Sequence, residues 1–443
     1  MRSSRIWASA LTLSTTLAQG DLAALLSSQP DLSELLTLVS LIDGLAPTLS
    51  SATNITIFAP TNAAFAAVPR DIPEGQAIEF KNDTAAIGAL LANHVFKGVY
   101  PAEVIGEIPT FAQTLLNGSY VNAIQPFSDF TGGAYNGLVK NGEEVCVLSG
   151  EQTVSTVTEA DIKLGEGITI HKVDTVLSFG APFQLFTYRA GYTAMNSALQ
   201  AAQLAIDFGL NGPDQVGLNI SDFTIFVPDN AAFENIGSIL ATADKETLQT
   251  VLKHHIIPKN VIFSPSLGNV TVKSMADEDL VFTVLPDGSA WVNGAKITFV
   301  NTILYNGVAH VIDGVLNPLA PFDRASLHPE APAAERTAFL SATRVSPLPI
   351  PSASLAFFGD AMTYTTTPEL LKTLAPLAVP TPTSASAATT SSSPSMVTSV
   401  GVSGTATGTS PPMEMFTGAA AGGLAPAAGM AVVGAAGLAA MFF

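Results

Sequence analysis

One hydrophobic run occurs twice in this chain and restricts its architecture more than any other feature. "TIFAPTNAAFAAV" occupies positions 56–68 and "TIFVPDNAAFENI" occupies positions 224–236, a separation of 168 residues (224 − 56). That separation is too long for a solenoid repeat and matches the size of a whole domain. The sequence therefore predicts two copies of one module.

Two further blocks follow each copy in the same order. Copy one continues with "LLANHVFKGVYPAEVI" and "GITIHKVDTVLSF", and copy two continues with "VLKHHIIPKNVIFSP" and "GVAHVIDGVLNP". His94 and His171 are 77 residues apart in copy one. The equivalent residues of copy two, His255 and His310, are 55 apart, so copy one carries about 22 extra residues. We expect these in the Gly- and Asn-rich region Pro126–Gly142, where turns are favoured.

The blocks also predict the local structure of each copy. The first block predicts a short apolar strand ended by a proline, then a capped helical turn that carries a phenylalanine inward. The residues concerned are Thr56–Phe58, Pro60, Thr61, Asn62 and Phe65 in copy one, and Thr224–Phe226, Pro228, Asp229, Asn230 and Phe233 in copy two. The second block predicts the end of an amphipathic helix followed by extended chain. In the third block apolar and polar residues alternate, which predicts a half-buried strand. Helices around a mixed set of short strands indicate an α+β domain.

The three blocks resemble the fasciclin-like domain family. "TIFAPTNAAF" and "FTIFVPDNAAF" are similar to its first signature and "GVAHVIDGVLNP" to its closing signature, with "GITIHKVDTVLSF" a looser match. The resemblance covers residues 20–182 and 183–320 and leaves the extension 321–380 unexplained. It implies two tandem α+β domains, each a compact β-wedge with surrounding helices. It also implies a secreted or surface-tethered module used in cell adhesion and in matrix or wall interactions.

The resemblance further implies candidate adhesion residues. Many family members carry a Tyr-His pair in the middle block that is associated with adhesion. The corresponding residues here are Asn93-His94 and His254-His255, so the histidine is retained in both copies and the tyrosine in neither. On physical grounds alone, His94 and His255 at the end of an apolar helix favour a core position with a backbone partner.

The amino-terminal segment predicts secretion. Residues 1–18 carry Arg2 and Arg5, then an apolar stretch and small residues, which is the layout of a signal peptide. Five Asn-x-Ser/Thr sequons predict a glycoprotein in the same compartment. They are Asn54, Asn82, Asn117, Asn219 and Asn269.

The carboxyl-terminal segment predicts a lipid anchor. Ser and Thr make up 17 of the 30 residues from 381 to 410, so residues 381–412 are expected to form an extended, Ser/Thr/Pro-rich stalk. Residues 425–443 carry no charge and would span about 28 Å as a helix, with no basic residue after them. Small residues from Gly418 onward suit transfer to a glycosylphosphatidylinositol (GPI) anchor, which makes 418–443 the anchor signal. The alternative is a retained single span in the vacuolar or another internal membrane.

Charge and cysteine content exclude several function classes. The net charge of −18 repels phosphate backbones, so nucleic-acid binding is not expected. Cys146 is the only cysteine, which excludes an intramolecular disulfide. Its surroundings, "EEVCVLSG", predict an inert thiol on a strand.

The sequence offers no recognisable catalytic or metal motif, so we expect neither an enzyme nor a cofactor. His171 with Asp174, and His310 with Asp313, are three residues apart on strands and therefore point to opposite faces. Because paired carboxylates are invisible in a sequence, a hydrolase of cell-wall polysaccharide stays open as the alternative. The prediction is a non-catalytic binding module in cell adhesion or cell-wall and matrix organisation. Its expected partners are the membrane, through the lipid anchor, and a wall polysaccharide or surface protein.

Overall fold

The computed structural model describes residues 21–70, 73–120, 127–206, 216–218 and 220–353. The predicted signal peptide, stalk, Gly418 and anchor signal lie outside the described residues, as does the sequon Asn219. Among the described helices, no single one is long and apolar enough to cross a membrane, and the sharply bent pair Pro30–Ser40 and Leu45–Ser51 meets that test only jointly.

The described residues of the first domain form six α-helices and seven strands, besides three short 3₁₀ turns. The helices are α1 Leu22–Ser27, α2 Ser33–Ser40, α3 Leu45–Ser51, α4 Asn62–Ala67, α5 Pro73–Phe80 and α6 Thr84–Asn93. The strands are β1 Ile55–Pro60, β2 Val95–Lys97, β3 Thr110–Gln113, β4 Tyr135–Asn141, β5 Glu144–Leu148, β6 Val154–Leu164 and β7 Ile168–Val173.

The second domain repeats this plan. Its helices are α7 Phe183–Arg189, α8 Thr193–Ala201, α9 Asn230–Asn235, α10 Gly237–Leu240 and α11 Lys245–His254. A small parallel pair is formed by β8 Leu204–Ala205 and β9 Val216–Gly217. The main strands are β10 Phe223–Pro228, β11 Ile256–Ile257, β12 Thr271–Lys273, β13 Asp279–Val284, β14 Ala290–Val292, β15 Ala295–Ile303 and β16 Gly307–Ile312.

Each domain contains one seven-stranded mixed sheet with the same strand order. The orders are β2-β1-β7-β6-β5-β4-β3 and β11-β10-β16-β15-β14-β13-β12. One pair in each sheet is parallel, β1 with β7 and β10 with β16. The two ends of each sheet also meet, because Leu115 N donates to Val95 O at 2.8 Å and Met275 N donates to Ile256 O at 2.7 Å. The sheets are therefore nearly closed wedges, and the predicted α+β class is confirmed.

The repeated motif forms the same strand, turn and helix in both domains. Strands β1 and β10 end at the predicted prolines, and a side-chain oxygen caps the helix that follows each of them. The cap bonds join Ala64 N to Thr61 Oγ1 at 3.2 Å and Ala232 N to Asp229 Oδ1 at 2.7 Å. Phe65 and Phe233 are each 2% exposed, so the predicted inward turn is confirmed.

The strands of the third block are more buried than predicted. Every residue of β7 and of β16 is buried, whereas the alternating pattern predicted half-buried strands. Each strand lies between its parallel partner and a long antiparallel strand, β6 or β15. The prediction was wrong because it assigned the polar residues to a solvent face, while His171 and His310 are 0% exposed and bond to the backbone.

The extra residues of copy one lie mainly between β3 and β4. This connection runs over residues 114–134, whereas β12 and β13 are joined by residues 274–278. The region Pro126–Gly142 overlaps this connection, but Tyr135–Asn141 forms β4 and not turns. Glycine and asparagine density misled the prediction because β4 pairs with a strand on each side.

Residues 321–353 cross the surface of the second domain after its last strand, and we call this segment the strap. It contains only two short 3₁₀ turns, Arg324–Ser326 and Ala333–Glu335. None of its residues is buried, although Phe339, Ala342, Leu348 and Ile350 pack partly against the core of the second domain. The first part of the unexplained extension is thus attached to the second domain.

Candidate functional site

The candidate adhesion residues lie inside the two domains. Their exposed fractions are 1% for Asn93, 3% for His94, 1% for His254 and 0% for His255. They stand at the ends of α6 and α11, where the chain turns into β2 and β11. In the folded domains, none of these side chains offers a surface to a partner.

His94 and His255 join the end of a helix to the chain that follows the last strand. In each ring, Nδ1 bonds to the carbonyl four residues earlier, and Nε2 bonds to a distant backbone amide. The distances are 2.8 Å to Leu90 O and 2.9 Å to Leu177 N for His94, and 2.7 Å to Val251 O and 3.0 Å to Leu316 N for His255. Because the amide can only donate and the carbonyl can only accept, each ring is fixed as the neutral Nδ1–H tautomer.

Burial keeps these rings neutral. It lowers the pKa of His94 to about 4 and that of His255 to about 3. Burial likewise lowers the pKa of His254 and of His310 to about 4 each. The cause is desolvation of the charged ring, which the hydrogen bond from Nδ1 only partly offsets in His94 and His255.

His171 on β7 and His310 on β16 bond to an irregular position of the neighbouring long strand, β6 or β15. Their Nε2 atoms bond to Tyr100 O at 2.9 Å and to Ile262 O at 2.8 Å. Their Nδ1 atoms accept from Asp161 N at 3.3 Å and from Asn301 N at 3.4 Å. Asp161 and Asn301 have positive φ angles, of 61° and 64°, and the pairing of β6 and β15 shifts register around them. The histidines therefore stabilise a β-bulge in each domain.

Neither His-Asp pair of the third block forms a dyad. Asp174 accepts a bond from Thr156 N at 2.8 Å, and Asp313 accepts one from Lys296 N at 2.7 Å. Both carboxylates thus bind backbone amides of the adjacent strand, as opposite-facing positions require. Within the described ranges, no group of three or more His, Cys, Asp and Glu side chains is arranged to hold a metal ion.

His254 differs from its neighbour in its partners. Its Nδ1 lies 2.9 Å from Ser274 Oγ, and its Nε2 lies 3.4 Å from Asn293 Nδ2. It therefore joins α11 to the chain before β13 and to the β14–β15 turn, while His255 points to the chain after β16. Adjacent helical residues diverge by about 100°, which accounts for the two directions.

The asparagine of the repeated motif has a function that the sequence prediction missed. Asn62 Oδ1 accepts from Glu34 N at 2.9 Å, and Asn230 Oδ1 accepts from Ala194 N at 3.0 Å. Glu34 and Ala194 are the second residues of α2 and α8, whose first amides lack partners within the helix. Each Nδ2 also donates to a carbonyl just before that helix, Pro30 O at 3.0 Å and Gly191 O at 2.8 Å. The recurring Asn-Ala-Ala-Phe thus caps a helix from an earlier part of its own domain.

The insertion in the first domain contacts the second domain directly. Asp129 N donates to Tyr305 O at 2.8 Å, and Thr131 N donates to Asp222 Oδ1 at 2.9 Å. Close by, the rings of Phe111 and Phe263 stack with centroids 3.8 Å apart. These contacts form an interface between the domains that includes the buried ring of Phe263.

A buried charged cluster lies at the same junction. Arg189 of the second domain is 3% exposed, and its Nη1 lies 2.6 Å from Glu151 Oε1 of the first domain. Glu74, also 3% exposed, accepts a bond from Phe179 N at 3.0 Å. Burial raises the pKa of Glu74 to about 7 and shifts the pKa of Glu151 in the same direction. No motif or spacing connects these three residues, so the cluster could not be predicted from the sequence.

Cys146 and four of the five sequon residues are the other predicted residues within the described ranges. Cys146 is on β5 and 2% exposed, and burial raises the pKa of its thiol to about 11, which disfavours the reactive thiolate. The sequon residues Asn54, Asn82, Asn117 and Asn269 are exposed. Their occupancy by glycans stays a prediction.

Comparison with known proteins gives one family. The Fasciclin domain model matches residues 30–179 and 190–318. A fasciclin-like arabinogalactan protein of Arthroderma benhamiae is 27% identical over 296 residues, which are 66% of this chain and 65% of the relative, so the match leaves about a third of that relative uncovered. Fasciclin-like arabinogalactan protein elcF of Phaeosphaeria nodorum is 26% identical over 67% of this chain and 88% of its own length. The solved FAS1 domain pair of the insect cell adhesion molecule fasciclin I aligns with 65% of this chain and 97% of its own, at 18% identity and a TM-score of 0.29.

Proposed function

The chain belongs to the fasciclin domain family, and on that basis we propose that it is a non-catalytic binding module of the cell surface. It acts in cell adhesion or in the organisation of the cell wall or matrix, and its ligand is a wall polysaccharide or a surface protein. The name shared by its fungal relatives, fasciclin-like arabinogalactan protein, supports a surface or extracellular location.

The observation that carries this proposal is the fixed pairing of the two domains. The interface joins backbone to backbone at Asp129 and Tyr305 and includes the buried ion pair of Glu151 and Arg189. Two related modules held at one spacing can engage a repetitive ligand together. The second contact is then intramolecular, so individually weak contacts sum to a higher avidity.

The bonding of the histidines supports a non-catalytic role. His94, His171, His255 and His310 each use both ring nitrogens on backbone groups. A general acid or base needs a nitrogen that can reach a substrate proton, within about 3 Å. These four rings serve the fold instead.

We also propose that a GPI anchor near Gly418 holds the protein at the membrane, beyond the stalk 381–412. The strong negative charge supports an anchor over electrostatic attachment, because acidic proteins are repelled by anionic headgroups. A lipid anchor needs no such attraction.

Binding and hydrolysis are separated by one experiment on the purified glycoprotein. Beads coated with the full mature chain are passed over immobilised wall polysaccharides, and the eluate is assayed for new reducing ends. The proposal predicts bead retention that depends on coating density, without new reducing ends. Sustained release of reducing ends that stops when a carboxylate is neutralised would establish the hydrolase instead.

A further inference from the structure

The strap is attached to the second domain by separate hydrogen bonds and ion pairs and not by a strand ladder. At its start, Arg324 donates to Phe282 O at 3.0 Å and to Val270 O at 2.9 Å. Towards its end, Arg344 and Ser346 both bond to the carboxylate of Glu234. Arginine supplies the main polar contact at both places, which suits an otherwise acidic protein.

The central contact of the strap is made by Arg336. Its Nη2 lies 2.6 Å from Asp313 Oδ2, and its guanidinium carbon lies 4.7 Å from the centre of the Trp291 ring. Its Nη1 also donates to Gly294 O at 2.9 Å. The ion pair and the cation–π contact are partly shielded from water, so Arg336 is expected to contribute more to attachment than an exposed pair would.

The last part of the strap runs along α9 and α10. Ser238 N donates to Thr343 O at 3.1 Å, and Val345 N donates to Glu234 O at 3.0 Å. The approach is close, because a Cβ added at Gly237 would lie 2.6 Å from Val345 Cβ. The described chain ends with Ala353 N donating to Ser197 Oγ at 3.1 Å.

The strap and the domain beneath it differ in their resistance to a pull from the carboxyl-terminal side. No strap residue is buried, while every residue of β16 is. Contacts that are mostly exposed and not cooperative open at low free energy. A pull on residue 353 loads the strap contacts one after another, whereas a pull on β16 must shear its bonds to β10 and β15 together.

We propose that the strap is a tension-released latch. This inference rests on the proposed anchoring, because an anchored carboxyl terminus applies the load at residue 353. The strap detaches from Ala353 towards Arg324 before either domain unfolds. Its 33 residues (321–353) lengthen the tether by up to about 115 Å and uncover the surface around Trp291, Asp313 and Glu234.

Single-molecule pulling on the purified full chain, held by tags at both ends, tests this inference. The expected trace has one short extension of about 100 Å at low force, followed by two long extensions from the domains. Gly237→Ala should lower the force of the short extension because the added methyl displaces Val345. Arg336→Gln should lower it too, because the ion pair and the cation–π contact are lost.

Gly268→Ala is the matched control, because no heavy atom lies within 4 Å of a Cβ added there. It should leave the short extension unchanged. A trace in which the strap unfolds together with the second domain would overturn the inference. So would a short extension whose force is the same in the parent, in Gly237→Ala and in Arg336→Gln. The purified chain is pulled through its tags, so this experiment tests the latch without the GPI anchor. The anchor itself is tested separately, by phospholipase release of the protein from cells.

Discussion

The amide nitrogen of Asp129 donates to the carbonyl oxygen of Tyr305 at 2.8 Å, which joins the insertion of the first domain to the β15–β16 turn of the second. The segment that distinguishes copy one from copy two thus contributes to the contact with copy two. The two copies therefore form an asymmetric pair.

Gly180→Ala should uncouple the domains. A Cβ at this position would lie 2.2 Å from Leu304 O of the second domain, so the backbones must separate. Calorimetry should show one coupled transition for the parent protein and two separate transitions for the variant. Gly106→Ala is the control, since the nearest atom to its Cβ is 3.9 Å away. A single unshifted transition in Gly180→Ala would show that the interface does not couple the domains.

Glu74→Gln should stabilise the protein at pH 8 and have little effect at pH 5. The pKa of Glu74 is raised in the folded state to about 7 from 4.5, so its ionisation lowers stability as the pH rises through that window. The amide keeps the acceptor for Phe179 N and removes the charge. The gain at pH 8 should approach about 3 kcal/mol, measured by chemical denaturation. Glu79→Gln, exposed on the same helix, should give no pH-dependent gain, and an equal gain at both pH values for Glu74→Gln would refute this account.

His255→Ala should destabilise the second domain strongly. The change leaves Val251 O and Leu316 N without a partner inside the domain. Each unpaired buried group costs about 1–3 kcal/mol, and the cavity adds to that loss. Denaturant midpoints for this variant and for His328→Ala, an exposed histidine of the strap, give the comparison. Equal midpoints would mean that His255 is not a structural residue.

Acid should destabilise the second domain before the carboxylates of the surface are fully protonated. Its buried histidines, His254, His255 and His310, have folded-state pKa values lowered to between about 3 and about 4, from 6.5. The unfolded chain therefore binds more protons below pH 6.5, and stability is lost as the pH falls from there towards 4. His255→Ala should flatten this dependence in the second domain. An unchanged slope from pH 6.5 to 4 in that variant would contradict the assignment.

Asn230→Ala should loosen α8, because the amide of Ala194 and the carbonyl of Gly191 lose their partner. The expected loss is about 1–3 kcal/mol, with faster hydrogen exchange at the start of α8. Asn230→Asp keeps the acceptor and loses the donor, so its stability and its exchange rates at α8 should lie between those of the parent and of Asn230→Ala. Exchange rates at α8 that are the same in all three proteins would rule out the capping role.

Local patterns in the sequence were enough for the local structure of the repeated motif and of the strand around Cys146. The strand that ends at Pro60, the cap at Thr61 and the inward Phe65 each follow from residues a few positions apart. Cys146 is similar, because its apolar neighbours already indicate a buried strand. In these cases the interactions that decide the structure are short-range.

Long-range partners decided what the sequence could not predict. The local sequence predicts that Asn62 caps its own helix. It instead caps α2 through the amide of Glu34, 28 residues earlier. The alternation of apolar and polar residues along β7 predicts that His171 faces solvent. Its ring is instead covered by Tyr100 O and Phe58. The cluster of Glu74, Glu151 and Arg189 forms only when the domains meet.

Adhesion through a lipid-anchored module can be tested on intact cells that display the full chain. Their adhesion to surfaces coated with wall polysaccharide or with purified surface proteins is measured before and after phosphatidylinositol-specific phospholipase C, and the released chain is examined by mass spectrometry. We expect the enzyme to release the protein with a glycan remnant near Gly418 and adhesion to fall with it. Full retention of the protein with peptides from 425–443 still present, or adhesion that is unchanged after release, would contradict this expectation.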